Sequence, residues 1–218
     1  MIAPLAAAGG FIDRLNTWDT SAFLLLNGLN SPAWDAVMRQ VSSPWVLVPV
    51  HVLLLAAIFR RPGWRRGAAL FAVLLLVILV DLAGAHVIKD LVQRVRPCNE
   101  GGLASAIHFV GGRRSGAFSF VSTHTAYAFA LVGFAWFSLA QRRLALGLFL
   151  WATAVGYSRV YLGLHYPGDI LGGALWGLTA AAALHGVVVL ARRGTWHGAR
   201  LPEAFVGSPG HARLPTHS

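Results

Sequence analysis

Long apolar runs alternate with short polar connections over most of this chain. Five runs approach or reach the length that a membrane-crossing helix needs, about 20 residues. They cover residues 44–60, 67–88, 120–140, 144–162 and 168–191. Such runs are typical of helices, whereas membrane β-barrels show alternating segments of about 10 residues. The pattern predicts an all-α fold, a polytopic membrane helical bundle with about five transmembrane helices.

The two ends of the chain have a different pattern. Residues 11–42 hold an apolar patch too short to span, a turn at Asn30-Ser31-Pro32 and an amphipathic piece, which predict one or two interfacial helices. The sequence from Gly194 is rich in Gly, Pro, His and Arg and predicts disorder. Three regions follow: an interfacial helical segment over 1–43, a membrane domain over 44–193 and a disordered basic tail over 194–218.

Composition supports a membrane protein and adds a strong positive charge. Hydrophobic residues make up 56% and charged residues 12% of the chain, and the net charge is +10. Nucleic-acid binding is not expected, because no soluble basic domain is present to carry it. The excess charge fits basic cytoplasmic loops, an anionic substrate, or both. Cys98 is the only cysteine, so no intrachain disulfide forms. The sequence leaves the oligomeric state open.

The arginines near the membrane ends predict the orientation. If five spans alternate, eight of these arginines fall on one side, which should be the cytoplasm. They are Arg60, Arg61, Arg65, Arg66, Arg142, Arg143, Arg192 and Arg193. The chain is therefore expected to be a multi-pass protein of the inner (plasma) membrane. Its remaining polar stretches then face the periplasm, or outside.

The first of these stretches is "KDLVQRVRPCNE", Lys89 to Glu100. Lys89 and Arg96 are two helical turns apart and share a face if the second span continues. Pro97 restricts Arg96 to an extended conformation and is expected to end the helix. A basic anchor at a membrane end explains this stretch equally well when it is considered alone.

The second and third stretches add hydroxyl, imidazole and carboxylate groups. Ser122 or Thr123 is positioned to cap the third span, with His124 in its first turn. Alone, this stretch fits an ordinary helix cap better than an anion site. In "GYSRVYLGLHYPGDILGG", His165 and Asp169 are four residues apart, so the carboxylate is expected to accept from one imidazole nitrogen and leave the other nucleophilic. A structural His–Asp pair is the alternative there.

Topology brings the three stretches together at one depth on the outer side. Two arginines, Arg96 and Arg159, with Lys89, hydroxyls and a helix N-terminus, form a cradle suited to a phosphoryl group. Two histidines and an aspartate supply covalent and acid–base chemistry. A carboxylate ligand would not need three cations, so a phosphoryl group is the better fit.

These residues resemble the type 2 phosphatidic acid phosphatase superfamily over about residues 67–190. Lys89 through Arg96-Pro97 matches the first signature, and Ser158-Arg159 through His165 and Asp169 matches the third. "VSTH" at 121–124 keeps the serine and histidine of the second signature, but has Val121 for proline and Thr123 for glycine. The glycine of the family allows a close backbone approach to phosphate.

The resemblance implies specific roles. His165 is the nucleophile that forms a phosphohistidine, Asp169 orients it, and His124 protonates the leaving oxygen and later activates water. Neither a metal nor another cofactor is expected, because the cations supply the electrostatic stabilisation. The phosphoryl oxygens are held by five residues: Lys89, Arg96, Ser122, Thr123 and Arg159.

The leading hypothesis is a membrane phosphatase that hydrolyses a lipid phosphate or pyrophosphate on the outer face. Polyprenyl pyrophosphate is the favoured substrate, by analogy with carrier recycling by small outward-facing enzymes. Phosphatidate, phosphatidylglycerol phosphate and lipid A phosphate are the other candidates. Two alternatives keep the same site: a lipid phosphotransferase, and a catalytically inactive protein that binds lipid head groups.

Overall fold

The structure is a computed structural model that describes residues 5–103, 105–110 and 116–197. In these ranges the chain is predominantly helical, and the β-pairing found there is a single bridge between Val95 and Phe118. This confirms the all-helical class. The α-helices are α1 Leu5–Gly28, α2 Pro32–Val41, α3 Leu47–Phe59, α4 Trp64–Asp81, α5 Lys89–Val92, α6 Thr123–Gly133, α7 Arg142–Tyr161 and α8 Pro167–His197.

The N-terminal region, where one or two helices were predicted, contains two, α1 and α2, separated at the predicted turn. The Ser31 side chain accepts a hydrogen bond from the backbone N–H of Trp34, and Pro32 occupies the first helical position of α2. α1 is longer than the apolar patch suggested, with 24 residues. The polar residues in the first half of α1 are part of the helix and do not interrupt it.

Helix length and composition identify fewer spans than the hydrophobic pattern did. Among the described helices, Pro167–Ala191 of α8 is long and apolar enough to cross a membrane, with a mean hydropathy of 1.8. Pro32–Val41 and Pro44–Phe59 pass the same test together as a pair bent by 57°. The predicted second and third spans change helix type along their length: α4 continues into a π-helix at Leu82–Ile88, and α6 continues into another at Phe134–Ser138.

The prediction that the helix after the second span continues to Pro97 is wrong. α5 ends at Val92 rather than at Pro97, because Gln93 adopts a left-handed conformation with φ of 50° and its N–H donates to the Lys89 carbonyl. Arg96 therefore does not share a helical face with Lys89. It is extended, with φ of −70° and ψ of 149°, as its position before proline predicts.

The packing of α8 against α6 depends on two glycines. A Cβ at Gly173 would lie 2.6 Å from the Ser122 carbonyl oxygen, and one at Gly177 would lie 2.1 Å from the Ala126 carbonyl oxygen. Small residues in membrane helices allow such close backbone contact. The N-terminal ends of α6 and α8 consequently meet, and the Ser122 N–H donates to the Asp169 carbonyl at 3.1 Å.

The opposite end of the bundle joins two arginine-rich connections. The Arg61 side chain, after α3, donates a hydrogen bond to the carbonyl of Leu139, before α7. Between the two ends, α4, α6, α7 and α8 share an apolar core. Residues up to His185 form one unit, and the chain from Gly186 forms another. The tail predicted from Gly194 lies outside the described residues from position 198 onward.

Candidate active site

His165 lies in the short loop between α7 and α8 and is 1% exposed. The Nη1 atom of Arg96 is 2.9 Å from His165 Nε2 and also donates to the Leu164 carbonyl at 3.2 Å. Because a guanidinium only donates hydrogen bonds, Nε2 is the acceptor and its lone pair points toward Arg96. The proton of the neutral imidazole is then on Nδ1.

Asp169 lies in the first turn of α8, as the sequence predicted, and faces His165. Its Oδ2 atom accepts the backbone N–H of Tyr166 at 2.9 Å and is 3.5 Å from His165 Nδ1. This last separation exceeds the usual length of an N–H···O hydrogen bond, and Nδ1 has no hydrogen-bond partner among the described residues. The predicted pair is formed, but it is an electrostatic contact rather than a short hydrogen bond.

The burial of His165 sets its protonation state. Burial lowers the pKa of His165 to about 4, the nearby Asp169 carboxylate opposes this shift, and the charge of Arg96 reinforces it. The imidazole is therefore neutral at pH 7. A neutral imidazole retains the nitrogen lone pair that a nucleophile requires.

Arg96 and Arg159 flank His165 with unsatisfied donors. Both arginines are buried, at 4% and 7% exposed, and the Nε atom of each lacks a hydrogen-bond partner among the described residues. Arg159 also donates to the Ser42 hydroxyl through Nη1. Buried guanidinium N–H groups without partners are costly, and an anion with several oxygens would satisfy them.

The other predicted phosphate-binding residues lie at the same end of the helical bundle as His165. Ser122 caps α6: its Oγ accepts from the Thr125 hydroxyl at 3.0 Å, which leaves the Ser122 O–H available as a donor. Thr123 is the first residue of α6, in the position where the family has glycine. Lys89, partly buried at the start of α5, is within electrostatic range of Arg96 and Arg159.

His124 faces a cavity of about 400 Å³ beside this cluster. Its imidazole is exposed and lies within electrostatic range of Arg159 and His165. Thr123 and Ser42 line the same cavity, but most of its wall is apolar. The apolar part comes from α3, α4, α6 and α7 and includes Leu47, Val77, Ile78, Val80, Trp151 and Val155.

Three residues that contact the site were not predicted from the sequence: Asp19, Ser42 and Arg94. Arg94 Nη1 donates to Asp169 Oδ1 at 3.0 Å and contacts Asp19 Oδ2 at 2.7 Å. Asp19 belongs to α1 and also accepts the Gly168 N–H at 2.7 Å. Ser42 contacts Arg159 from the end of α2. Arg94 lies within the first signature, so the sequence could have indicated a role for it. Nothing in the sequence around Asp19 or Ser42 points to this site.

The chain is similar in sequence to known lipid phosphatases. The PAP2 superfamily model matches residues 67–193. The chain is 35% identical over 168 residues to a lipid A 4'-phosphatase of Bacteroides thetaiotaomicron, covering 76% of this chain and 75% of that protein. It is 29% identical to a lipid A 4'-phosphatase of Porphyromonas gingivalis, covering 84% and 78% of the two chains.

Two solved structures are similar in fold. One is a transmembrane PAP2-type phosphatidylglycerolphosphate phosphatase from Bacillus subtilis, with a TM-score of 0.63, 25% identity, and coverage of 83% of this chain and 89% of that one. The other is LpxE of Aquifex aeolicus, with a TM-score of 0.55, 26% identity, and coverage of 76% and 93%. Together with the family match over more than half of the sequence, these similarities show that the chain belongs to the PAP2 superfamily and is a membrane lipid phosphatase.

Proposed function

We propose that the protein hydrolyses a phosphate monoester of a lipid through a phosphohistidine formed on His165. The observation that carries this proposal is a set of buried polar atoms without partners among the described residues: the Nε atoms of Arg96 and Arg159, whose charges both act on a buried, neutral imidazole. A bound phosphoryl group supplies the acceptors that these donors lack. It also places phosphorus next to the nucleophile.

In the first step, His165 Nε2 attacks phosphorus. Arg96, which donates to Nε2 at 2.9 Å in this structure, must transfer that hydrogen bond to a phosphoryl oxygen to free the lone pair. The N–P bond forms as the P–O bond to the lipid breaks. Protonated His124 gives its proton to the departing oxygen, while Lys89, Arg96 and Arg159 stabilise the charge on the other oxygens.

In the second step, water replaces histidine on phosphorus. His124, now neutral, takes a proton from water as its oxygen attacks the phosphohistidine. The N–P bond breaks, inorganic phosphate leaves, and His165 is again neutral. Asp169 stabilises the positive charge that His165 carries while it is phosphorylated. The phosphohistidine and these residue roles are part of the proposal.

The apolar cavity supports a lipid substrate. His124 and Thr123 are on its wall next to the cation cluster, and most of the remaining wall is apolar. An amphiphile fits this arrangement with its phosphate at the cations and its hydrocarbon in the cavity. The relatives named above favour a lipid A-type phosphate monoester as the substrate. They do not favour polyprenyl pyrophosphate, the substrate preferred from the sequence.

The membrane arrangement belongs to the proposal as well. We infer five spans over the predicted segments, an interfacial N-terminal region, and an inner-membrane protein whose site faces the periplasm. The Arg61–Leu139 contact supports this orientation because it joins two arginine-rich connections at the end opposite to His165. In a variant lacking Cys98, Pro62→Cys should react from the cytoplasmic side and Ser105→Cys from the periplasmic side. The reverse pattern would contradict the orientation.

The test of function is phosphate release by purified protein in detergent with EDTA. The substrates are lipid A, phosphatidylglycerol phosphate, phosphatidate and undecaprenyl pyrophosphate, and His165→Ala is the control. We expect the wild type to release phosphate from lipid A and His165→Ala to release none. Phosphate found on an added acceptor, without free phosphate, would indicate a phosphotransferase. Lipid binding by both proteins with no turnover would indicate an inactive binding protein.

A further inference from the structure

Arg94 connects the catalytic carboxylate to a second carboxylate that lies far away in the sequence. Its Nη1 atom donates to Asp169 Oδ1 at 3.0 Å and forms an ion pair with Asp19 Oδ2 at 2.7 Å. Its guanidinium carbon lies 4.0 Å from the centre of the Tyr166 ring, so the group is also stacked on an aromatic face. Both carboxylates and the arginine are at most 19% exposed, so solvent screens these contacts only weakly.

Asp19 attaches α1 to the start of α8. Its Oδ1 atom accepts the backbone N–H of Gly168 at 2.7 Å, one residue before Asp169. The approach is close, since a Cβ at position 168 would lie 2.7 Å from Asp19 Oδ2. Asp19 lies outside residues 67–193, which the family model matches.

We propose that Asp19 and Arg94 are positioning residues for the catalytic pair, so that helix α1 completes the active site. This inference rests on the proposed function of His165. Arg94 occupies Oδ1 of Asp169, while the Tyr166 N–H occupies Oδ2 on the side of His165. With both oxygens engaged, the carboxylate is fixed in orientation toward Nδ1. Asp19 in turn restrains Arg94.

The ion pairs of Arg94 support a role different from that of Arg96 and Arg159. Arg94 is paired with two carboxylates, whereas Arg96 and Arg159 retain buried Nε atoms without a hydrogen-bond partner among the described residues. Arg94 therefore acts on the nucleophile through Asp169 and does not bind the phosphoryl group. Without Asp19, Arg94 would remain an incompletely neutralised cation able to rotate away from Asp169.

The test compares Asp19→Asn with Asp13→Asn in the full-length protein, using lipid A. The asparagine at 19 retains an oxygen for the Gly168 N–H but removes the charge that holds Arg94. Asp13 is exposed on the same helix and undergoes the same chemical change. We expect kcat to fall about 10–100-fold in Asp19→Asn, because the partly buried ion pair with Arg94 is lost. KM should be unchanged, and the Asp13→Asn variant should have the kcat of the wild type.

Two further variants separate positioning from folding. Asp19→Glu retains the carboxylate and should recover most of the lost kcat. Arg94→Gln should reduce the rate of phosphoenzyme formation about 100-fold, the effect of a misplacement of about 1 Å. Equal kcat in Asp19→Asn and wild type, or a rise in KM alone, would overturn the inference. A wild-type protein without turnover on the lipid panel would instead overturn the proposed function.

Discussion

Gly177→Ala tests whether the close contact of α6 and α8 determines both stability and activity. The added methyl group would lie 2.1 Å from the Ala126 carbonyl oxygen and 2.8 Å from the Ala130 nitrogen. Both neighbours are backbone atoms of α6, so neither can rotate away as a side chain could. The helices must separate instead.

The size of the effect follows from this geometry. The methyl group needs at least about 3 Å, so α8 must move by roughly 1 Å. Overpacking of this kind costs about 1–3 kcal/mol, partly offset by about 1 kcal/mol from the better helix propensity of alanine. Asp169 and Ser122 come from the two helices that separate. A shift of about 1 Å between catalytic groups lowers activity about 100-fold.

The assay is lipid phosphate release together with thermal unfolding in the same detergent. Gly147→Ala on α7 is the control, because a Cβ there meets no heavy atom within 4 Å in the described part of the chain. The control should be as stable as the wild type or more stable, and equally active. If Gly177→Ala had the same melting temperature and kcat/KM as the wild type, the proposed role of this contact would be refuted.

Three further results are expected. Burial lowers the pKa of folded His165 to about 4, whereas an unfolded histidine has a pKa of about 6.5. The free energy of unfolding should therefore fall by about 3 kcal/mol as pH decreases through this range. In His165→Gln this part of the pH dependence should be missing from thermal unfolding curves. Asp169→Asn should lower kcat about 1,000-fold or more because the phosphorylated imidazole loses its counter-charge; a loss confined to KM would contradict this role. Activity should persist in EDTA, and reversible loss on chelation would show that a metal takes part.

The sequence alone was sufficient where the cause of a structure is local. Pro97 places Arg96 in an extended conformation, Ser122 caps α6, and Pro167 begins α8 with Asp169 in its first turn. Each depends on backbone dihedral angles or hydrogen bonds within a few residues. The same locality explains why the signature spacings could identify the family and the charged residues of the site.

Other features depend on contacts between distant parts of the chain, which composition and spacing do not encode. Asp19 and Gly168 are 149 positions apart, and their contact exists because α1 packs beside the start of α8. The end of α5 at Val92 depends on the left-handed conformation of Gln93, a residue type that gives little indication of it. The orientation of the Asp169 carboxylate beside His165 depends on Arg94, 75 positions away, and on the Tyr166 N–H, which engage its two oxygens.

The chemistry of this protein was thus determined by its sequence, and the arrangement of that chemistry by its tertiary structure. The types and spacing of Lys89, Arg96, Arg159, His165 and Asp169 predict a phosphoryl-binding site before any helix is placed. Burial then makes His165 neutral, and packing places an Arg96 donor 2.9 Å from its Nε2. Burial and orientation arise only when α6, α7 and α8 come together, because they depend on the surroundings of a group and not on its identity.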